Sequence, residues 1–217
     1  MLSILSGAQD QSYEDEGEPV FNRKYIEFSI DRIRPIQTFG ENIDETLTGF
    51  RFGYMWQMNK EKLDYVGFQI NYAHVDSNTN SFFDSDVRTA SNIIGVFVNY
   101  RHFPDFYFWK IEPFVEAVLG PQFFYTQTTT SFFDVNSTND VVFDEVDTGI
   151  GFGAGVGFLL HITGQVFFTT QLNYIGGTSV TYLVETDAQN PFPIDNFRPE
   201  TSQTNYIKLQ FGISVSL

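Results

Sequence analysis

The chain contains no cysteine, which excludes disulfides and thiolate metal sites and leaves the redox compartment unmarked. It is also poor in basic residues: 12 Lys and Arg stand against 27 Asp and Glu, a formal charge of −15 in 217 residues. Phosphate backbones are held by clustered cations, so nucleic acid is excluded as a general partner. Long hydrophobic runs are missing as well. No apolar stretch approaches the roughly 20 residues that a membrane-spanning helix requires. What remains is rich in aromatics, with 25 Phe and 11 Tyr, at a near-neutral mean hydropathy of −0.16. That combination fits neither a disordered chain nor a helical membrane protein, and the length suits one domain.

The first eight residues, Met1 to Ala8, read as the tail of a secretory signal peptide. An apolar stretch from Leu2 to Leu5 precedes Ser6 and Ala8, small residues flanking a cut before Gln9, although no basic segment stands ahead of it. Residues 9–23 are polar and acidic, with Asp10, Glu14, Asp15, Glu16 and Glu18, and read as a disordered lead-in. The folded part is expected over residues 24–217.

Within it, period-2 alternation marks eight strands. The clearest runs to Leu217, with Ile207, Leu209, Phe211, Ile213, Val215 and Leu217 on one face and Lys208, Gln210, Gly212, Ser214 and Ser216 on the other. The first strand, Lys24 to Arg34, turns Ile26, Phe28 and Ile30 to the apolar face and Glu27, Ser29 and Asp31 to the polar one. The second, about Thr46 to Gln57, sets Phe50, Phe52, Tyr54 and Trp56 against Gly49, Arg51 and Gly53. The third presents Val66, Phe68, Ile70 and Tyr72, and the fourth Ile94, Val96, Val98 and Tyr100 with Arg101 opposite. The fifth carries Trp109, Ile111, Val115, Ala117 and Leu119 against Glu112, Phe114 and Glu116. Its Pro113 removes a ladder donor, so a break or bulge is expected there. The sixth, about Thr148 to Leu160, alternates Gly149, Gly151, Gly153, Gly155 and Gly157 with apolar residues, which leaves room for bulky neighbours such as Phe114 or Phe167. No helix follows that glycine stripe, so it lacks the context of a phosphate-binding loop. The seventh turns out Val166, Phe168, Thr170, Leu172 and Tyr174.

The connections alternate in length. Short links follow the second, fourth and sixth strands, at Met58–Leu63, Phe103–Phe108 and His161–Gly164. Long loops follow the odd ones, at Pro35–Glu45, Asp76–Ala90, Thr126–Asp147 and Ile175–Thr204. Short turns on one side and long loops on the other are the habit of outer-membrane barrels. Aromatic residues at the ends of the apolar bands, Trp56, Tyr100, Trp109 and Phe158 on one side and Tyr72, Tyr125 and Tyr174 on the other, suit two interfacial girdles. A soluble lipocalin-type barrel alternates equally well with its apolar face inward. Here the polar face is rich in glycine and charge and fits a narrow interior, while the aromatic face is too bulky to be enclosed. The fold expected is all-β: an eight-stranded antiparallel up-and-down transmembrane barrel.

From Lys24 to Leu217 the chain resembles the small eight-stranded outer-membrane proteins of OmpA and OmpX architecture, and more closely the PorT-like barrels. The most specific element is the end, where Gln210, Gly212, Val215 and Leu217 resemble the terminal assembly signal of such barrels. The departure is Leu217, where the family has an aromatic residue. The resemblance implies a bacterial outer-membrane location with both termini periplasmic, insertion by the barrel-assembly machinery into outer-membrane lipid, and a role in envelope secretion or assembly complexes. It carries no catalytic motif.

The polar-face charges, Glu27, Asp31, Glu112 and Glu116 against Arg51, Arg101 and Lys208, are expected to form a hydrogen-bonded network that plugs the lumen, with Lys208 meeting Glu27 or Asp31 across the seam. The alternative is a small ion channel. His74 with Asp76 and Ser77 lies where a lipid-A-modifying enzyme would hold its catalytic groups, but order and spacing match no motif; no catalytic, cofactor or metal residue is assigned. The tetrapeptide Ser-Phe-Phe-Asp occurs twice, at residues 81–84 and 131–134. Phe82, Phe83, Phe132 and Phe133 are therefore candidate anchors for a protein partner in the envelope. The acidic residues nearby have no calcium-loop spacing.

Overall fold

The computed structural model describes residues 24–43, 46–58, 63–82, 85–105, 110–132, 140–185 and 197–217, with the side chains at 75–82, 85–91, 126–132, 140–145, 185 and 197 left aside. The first 23 residues, where the signal remnant and acidic lead-in are expected, lie outside the described residues.

Alternation builds the sheet. Strands β1 (Lys24–Pro35), β2 (Leu47–Gln57), β3 (Asp64–Phe82), β4 (Ser85–His102), β5 (Ile111–Phe132), β6 (Asp140–Thr163), β7 (Val166–Gly177) and β10 (Tyr206–Ser216) close into a barrel. Every neighbouring pair is antiparallel, and β1 pairs β10 from Tyr25–Ser216 to Pro35–Tyr206. Closure leaves no unpaired edge in the barrel wall. A path perpendicular to the strands leaves β1 at Lys24 and passes Trp56, Val66, Tyr100, Ala117, Ala154, Tyr174 and Ile207. It returns to β1 at Arg34, ten residues further on. With ~3.3 Å per residue and ~4.8 Å between strands, that stagger tilts the strands by about 40°.

The apolar parity faces out. Phe28, Ile30, Phe52, Phe68, Val98, Leu119, Ile150, Phe152, Leu172 and Phe211 are all exposed, with Leu119 at 59%. The opposite parity is buried, down to 0% for Glu27, Asp31 and Arg101. A soluble barrel would reverse this, so the belt is a hydrocarbon-facing surface and the protein a transmembrane barrel. Strands β1, β2, β7 and β10, at 11 or 12 residues, match the span that a tilted strand needs.

Several connections differ from expectation. Residues 76–90 and 126–147 were expected as loops, yet β3 runs to Phe82, β4 starts at Ser85, β5 reaches Phe132 and β6 starts at Asp140. Outside the membrane these strands no longer need an apolar face, so runs such as Thr126–Ser131 lack the alternation that marks a strand in sequence while keeping β-favouring Thr. The first and last long loops also fold. Residues Gln37–Asn42 form a short helix α1, and Ser179–Glu185 (β8) pairs with Phe197–Gln203 (β9) as a separate two-stranded sheet. At α1 the backbone turns so tightly that a Cβ on Gly40 would stand 2.7 Å from the Pro35 carbonyl oxygen, which explains glycine there.

Pro113 makes no break. It pairs with Phe158 in an uninterrupted register, because the β4 ladder ends at Val115 and leaves Pro113 at an edge on that side, where a donor is not needed. The disturbed place is Pro121: the β4–β5 ladder passes from Gly95–Gln122 to Val98–Leu119 without pairing the residues between. Trp109, expected in the girdle, lies outside the described residues.

Candidate functional site: a layered lumen plug and a protruding sheet

The interior is built in three layers. Near the short-turn end Tyr25, Met55, Tyr65, Phe103, Phe114, Leu159 and Phe167 form an apolar layer, with ring centroids 5.2 Å apart for Tyr25–Tyr65 and 5.4 Å for Tyr65–Phe103. Above it lies the charged layer. Glu27 accepts hydrogen bonds from Arg51 (2.5 Å), from both terminal nitrogens of Arg101 (2.5 and 2.9 Å) and from the Ser214 hydroxyl (2.9 Å). Glu116 accepts from Arg101 Nε (3.0 Å) and Nη2 (2.7 Å), from Gln171 (2.7 Å) and, more weakly, from Arg51 and Asn99. Arg101 also lies 3.9 Å over the Phe114 ring, a contact that helps a guanidinium stay out of water.

From Gln171 the network runs on through Asn173 (2.8 Å) to Gln210 (2.6 Å) and Asp31 (2.9 Å). Lys208 Nζ stands 3.7 Å from Asp31; Glu27 is taken by the two arginines. Three carboxylates thus meet three cations in a space where unpaired charge is costly. Glu112 shares the inward parity but is only partly buried, on the short-turn side of the layer.

The third layer is the one that alternation in the sequence did not reveal. Ile33, Leu47, Ala73, Ile93, Phe97, Val118, Phe124, Ile175 and Tyr206 of the wall close around Phe39 from α1 and Val180 and Tyr182 from β8. The lid is tied down by polar contacts: Asn42 donates to the Tyr182 hydroxyl (2.8 Å), Asn205 to Gln37 (2.6 Å), and the Thr181 amide to Asp147 (2.6 Å). The short run of Val180, Tyr182 and Val184 at alternate positions was the available signal.

The glycine stripe gives these layers their room. A Cβ at Gly157 would meet Phe114, one at Gly151 would meet Gln122 and Phe97, and one at Gly155 would meet Asn173. Phe167 packs elsewhere, against His161 and Tyr25. An enclosed void of about 10 Å³ beside Asn71, Tyr206 and Lys208 has room for about one water. Planar bilayers holding the protein are therefore expected to show no discrete conductance steps; reproducible single-channel openings would mean the plug does not seal.

The histidines are held by local partners. His74 Nδ1 lies 2.9 Å from Asn92 Oδ1, which also accepts from the Tyr72 hydroxyl; the side chains of Asp76 and Ser77 lie outside those described. His102 Nδ1 is 2.6 Å from Asp64 and His161 Nε2 is 2.8 Å from the Gly164 carbonyl. At the closing strand, Gln210 points into the charged layer, Gly212 lies where a Cβ would stand 2.7 Å from Ser29 Cα, and Val215 and Leu217 follow the outward parity, the Leu217 amide donating to the Lys24 carbonyl (2.8 Å).

Beyond the barrel four strands continue. β5 has 22 residues and β6 has 24, about twice what the membrane band takes. β2 leaves β3 at Thr48–His74, and β7 leaves β6 at Gly151–Gly177. Past those points β3 and β6 are the two edges of a β3–β4–β5–β6 sheet. Thr178 and Thr181 engage the start of the β6 edge, at Ile150 and Asp147. The register also brings the repeated tetrapeptides level: Ser81 and Ser131 both pair with Asp86, and Phe82 and Phe132 both pair with Ser85. Phe83 and Phe133 lie outside the described residues.

No family model matches the chain, and no curated protein does. Solved structures do. A major outer membrane protein from Thermus thermophilus superposes with a TM-score of 0.52 at 11% identity, over 91% of this chain and 100% of that one. Ail, the attachment invasion locus protein of Yersinia pestis, solved in complex with the heparin analogue sucrose octasulfate, superposes with a TM-score of 0.51 at 11% identity, over 90% and 97%. At that identity the likeness is one of fold: this chain is a small eight-stranded barrel of the outer-membrane kind.

Proposed function

We propose that the protein is a non-enzymatic component of the bacterial outer membrane that binds a protein partner of the envelope through its protruding β3–β6 sheet. The observation that carries this is the sheet itself: four strands rising past a sealed barrel, with two edges and two Ser-Phe copies at one height. Unpaired strand edges recruit added strands, and clustered aromatics serve as anchors. The plugged lumen argues against transport, and the local partners of His74 argue against a lipid-A-modifying enzyme. Resemblance to PorT-like barrels favours a secretion or assembly complex, inserted by the barrel-assembly machinery with termini and short turns periplasmic. An adhesive role of the Ail kind on a sulfated polyanion is disfavoured by the charge of −15.

Crosslinking in intact envelopes, followed by purification of the barrel, tests the proposal. Replacing Phe82, Phe83, Phe132 and Phe133 with Ser is expected to lower partner recovery about tenfold or more while the barrel still folds. Unchanged recovery would sink it. Lipid A mass spectra that change with the protein's presence would restore the enzyme.

A further inference from the structure

The outward parity of β1 runs Ile26, Phe28, Ile30 and then Arg32 and Arg34, both exposed. The first three belong to the hydrocarbon belt, so the two arginines stand on the same wall where the belt ends on the long-hairpin side. They adjoin Leu209 and Ile207 on β10, both belt residues. Arg32 donates to the Thr48 hydroxyl (2.9 Å), which holds its guanidinium against the wall. Arg34 has no hydrogen-bond or ion-pair partner among the described residues and lines a cleft of about 750 Å³ with Gln37, Gly40, Glu41, Thr46 and Ile207.

Two cations on a lipid-facing wall are out of keeping with a chain so acidic. Elsewhere among the described residues, Arg101, Arg51 and Lys208 are spent inside the barrel, and Arg198 pairs with Glu200 at 2.9 Å. We propose that Arg32 and Arg34 form the headgroup site for a phosphate-bearing lipid, the phosphate lying between the two guanidinium groups and an acyl chain descending beside Ile207 and Leu209. Charge-assisted hydrogen bonds from guanidinium to phosphate supply the recognition, and continuity with the belt supplies the place for the chain. Glu41 on the cleft offsets one of the two positive charges, so the site favours a single phosphate group over a larger polyanion. The site rests on the transmembrane reading of the belt and not on the hairpins binding a partner.

The test uses the whole refolded barrel in nonionic detergent, titrated with bisphosphorylated lipid A and followed by native mass spectrometry. Dephosphorylated lipid A and inorganic phosphate form separate arms. The protein is expected to retain the phosphorylated lipid, and the variant Arg32→Gln with Arg34→Gln to retain it about thirtyfold less well, from about 1 kcal/mol per arginine. Lys24→Gln, at the opposite end of β1, is expected to change nothing. Heat-modifiable gel mobility verifies that each variant is folded. Equal retention by the double variant, or equal retention of the dephosphorylated lipid, overturns the site. Competition by inorganic phosphate at matching concentration marks a free-phosphate site and overturns the lipid assignment. No partner protein is present in this experiment, so its failure and the failure of hairpin docking are read separately.

Discussion

Glu27→Gln is expected to cost the barrel about 3–5 kcal/mol, because it removes the carboxylate that bonds both buried arginines at 2.5 Å and leaves the pair one negative charge short. Arg51 and Arg101 would be left with the carboxylate of Glu116, 3.4 Å from Arg51, while Arg51 keeps its bond to Gln69 (2.8 Å), and one of the two oxygens at position 27 would become an amide nitrogen facing guanidinium donors. A guanidinium in a closed lumen has no water to turn to, and the apolar layers on either side keep it that way. Urea titration of the refolded protein in phospholipid vesicles, followed by tryptophan fluorescence, measures the loss, and heat-modifiable gel mobility shows whether the barrel closes at all. Removing Arg101 as well, in Glu27→Gln/Arg101→Gln, is expected to recover part of the stability; the double-mutant cycle isolates the coupling. A single-variant cost below about 1 kcal/mol would show that the pair is solvated or repartnered.

Gly157→Ala is the second large effect. A Cβ there would lie 2.5 Å from the Thr170 carbonyl oxygen of β7 and 2.5 Å from the Phe114 ring. The ring can turn aside; the carbonyl cannot, because it belongs to the neighbouring strand of a closed ladder. The expected loss is about 3 kcal/mol, at the upper end for overpacking, and Phe114→Ala should rescue little of it. Stability within about 0.5 kcal/mol of the parent, in the same urea titration, would mean that β6 and β7 separate freely at this height. Gly164 offers a control of another kind: its φ of 52° favours glycine, yet nothing lies within 4 Å of a Cβ there. Gly164→Ala should cost only about 1 kcal/mol.

The wall of the barrel was legible because period-2 alternation survives wherever one strand face meets hydrocarbon and the other a filled lumen. Strand β10, read as an apolar face of Ile207, Leu209, Phe211 and Ile213, stands with those residues exposed. The same logic failed where the environment changed. At residues 126–132 and 140–147 both faces leave the membrane, the apolar pattern ends, and strand looks like loop. At Pro113 the local rule predicted a break that the end of the β4 ladder makes unnecessary.

The sequence by itself determined the fold class, the side of the sheet that faces out, and which charges lie inside, since each follows from alternation along one strand. Only the tertiary structure decided how those charges are shared, with Glu27 between two arginines and Lys208 beside Asp31. It alone brought Phe39, Val180 and Tyr182 over the mouth, set the two Ser-Phe copies at one height, and placed Gln37, Gly40 and Glu41 of α1 on a cleft with Arg34. The reason is physical: these relations depend on strand stagger and on contacts between residues far apart in the chain, and periodicity along a strand holds no record of either.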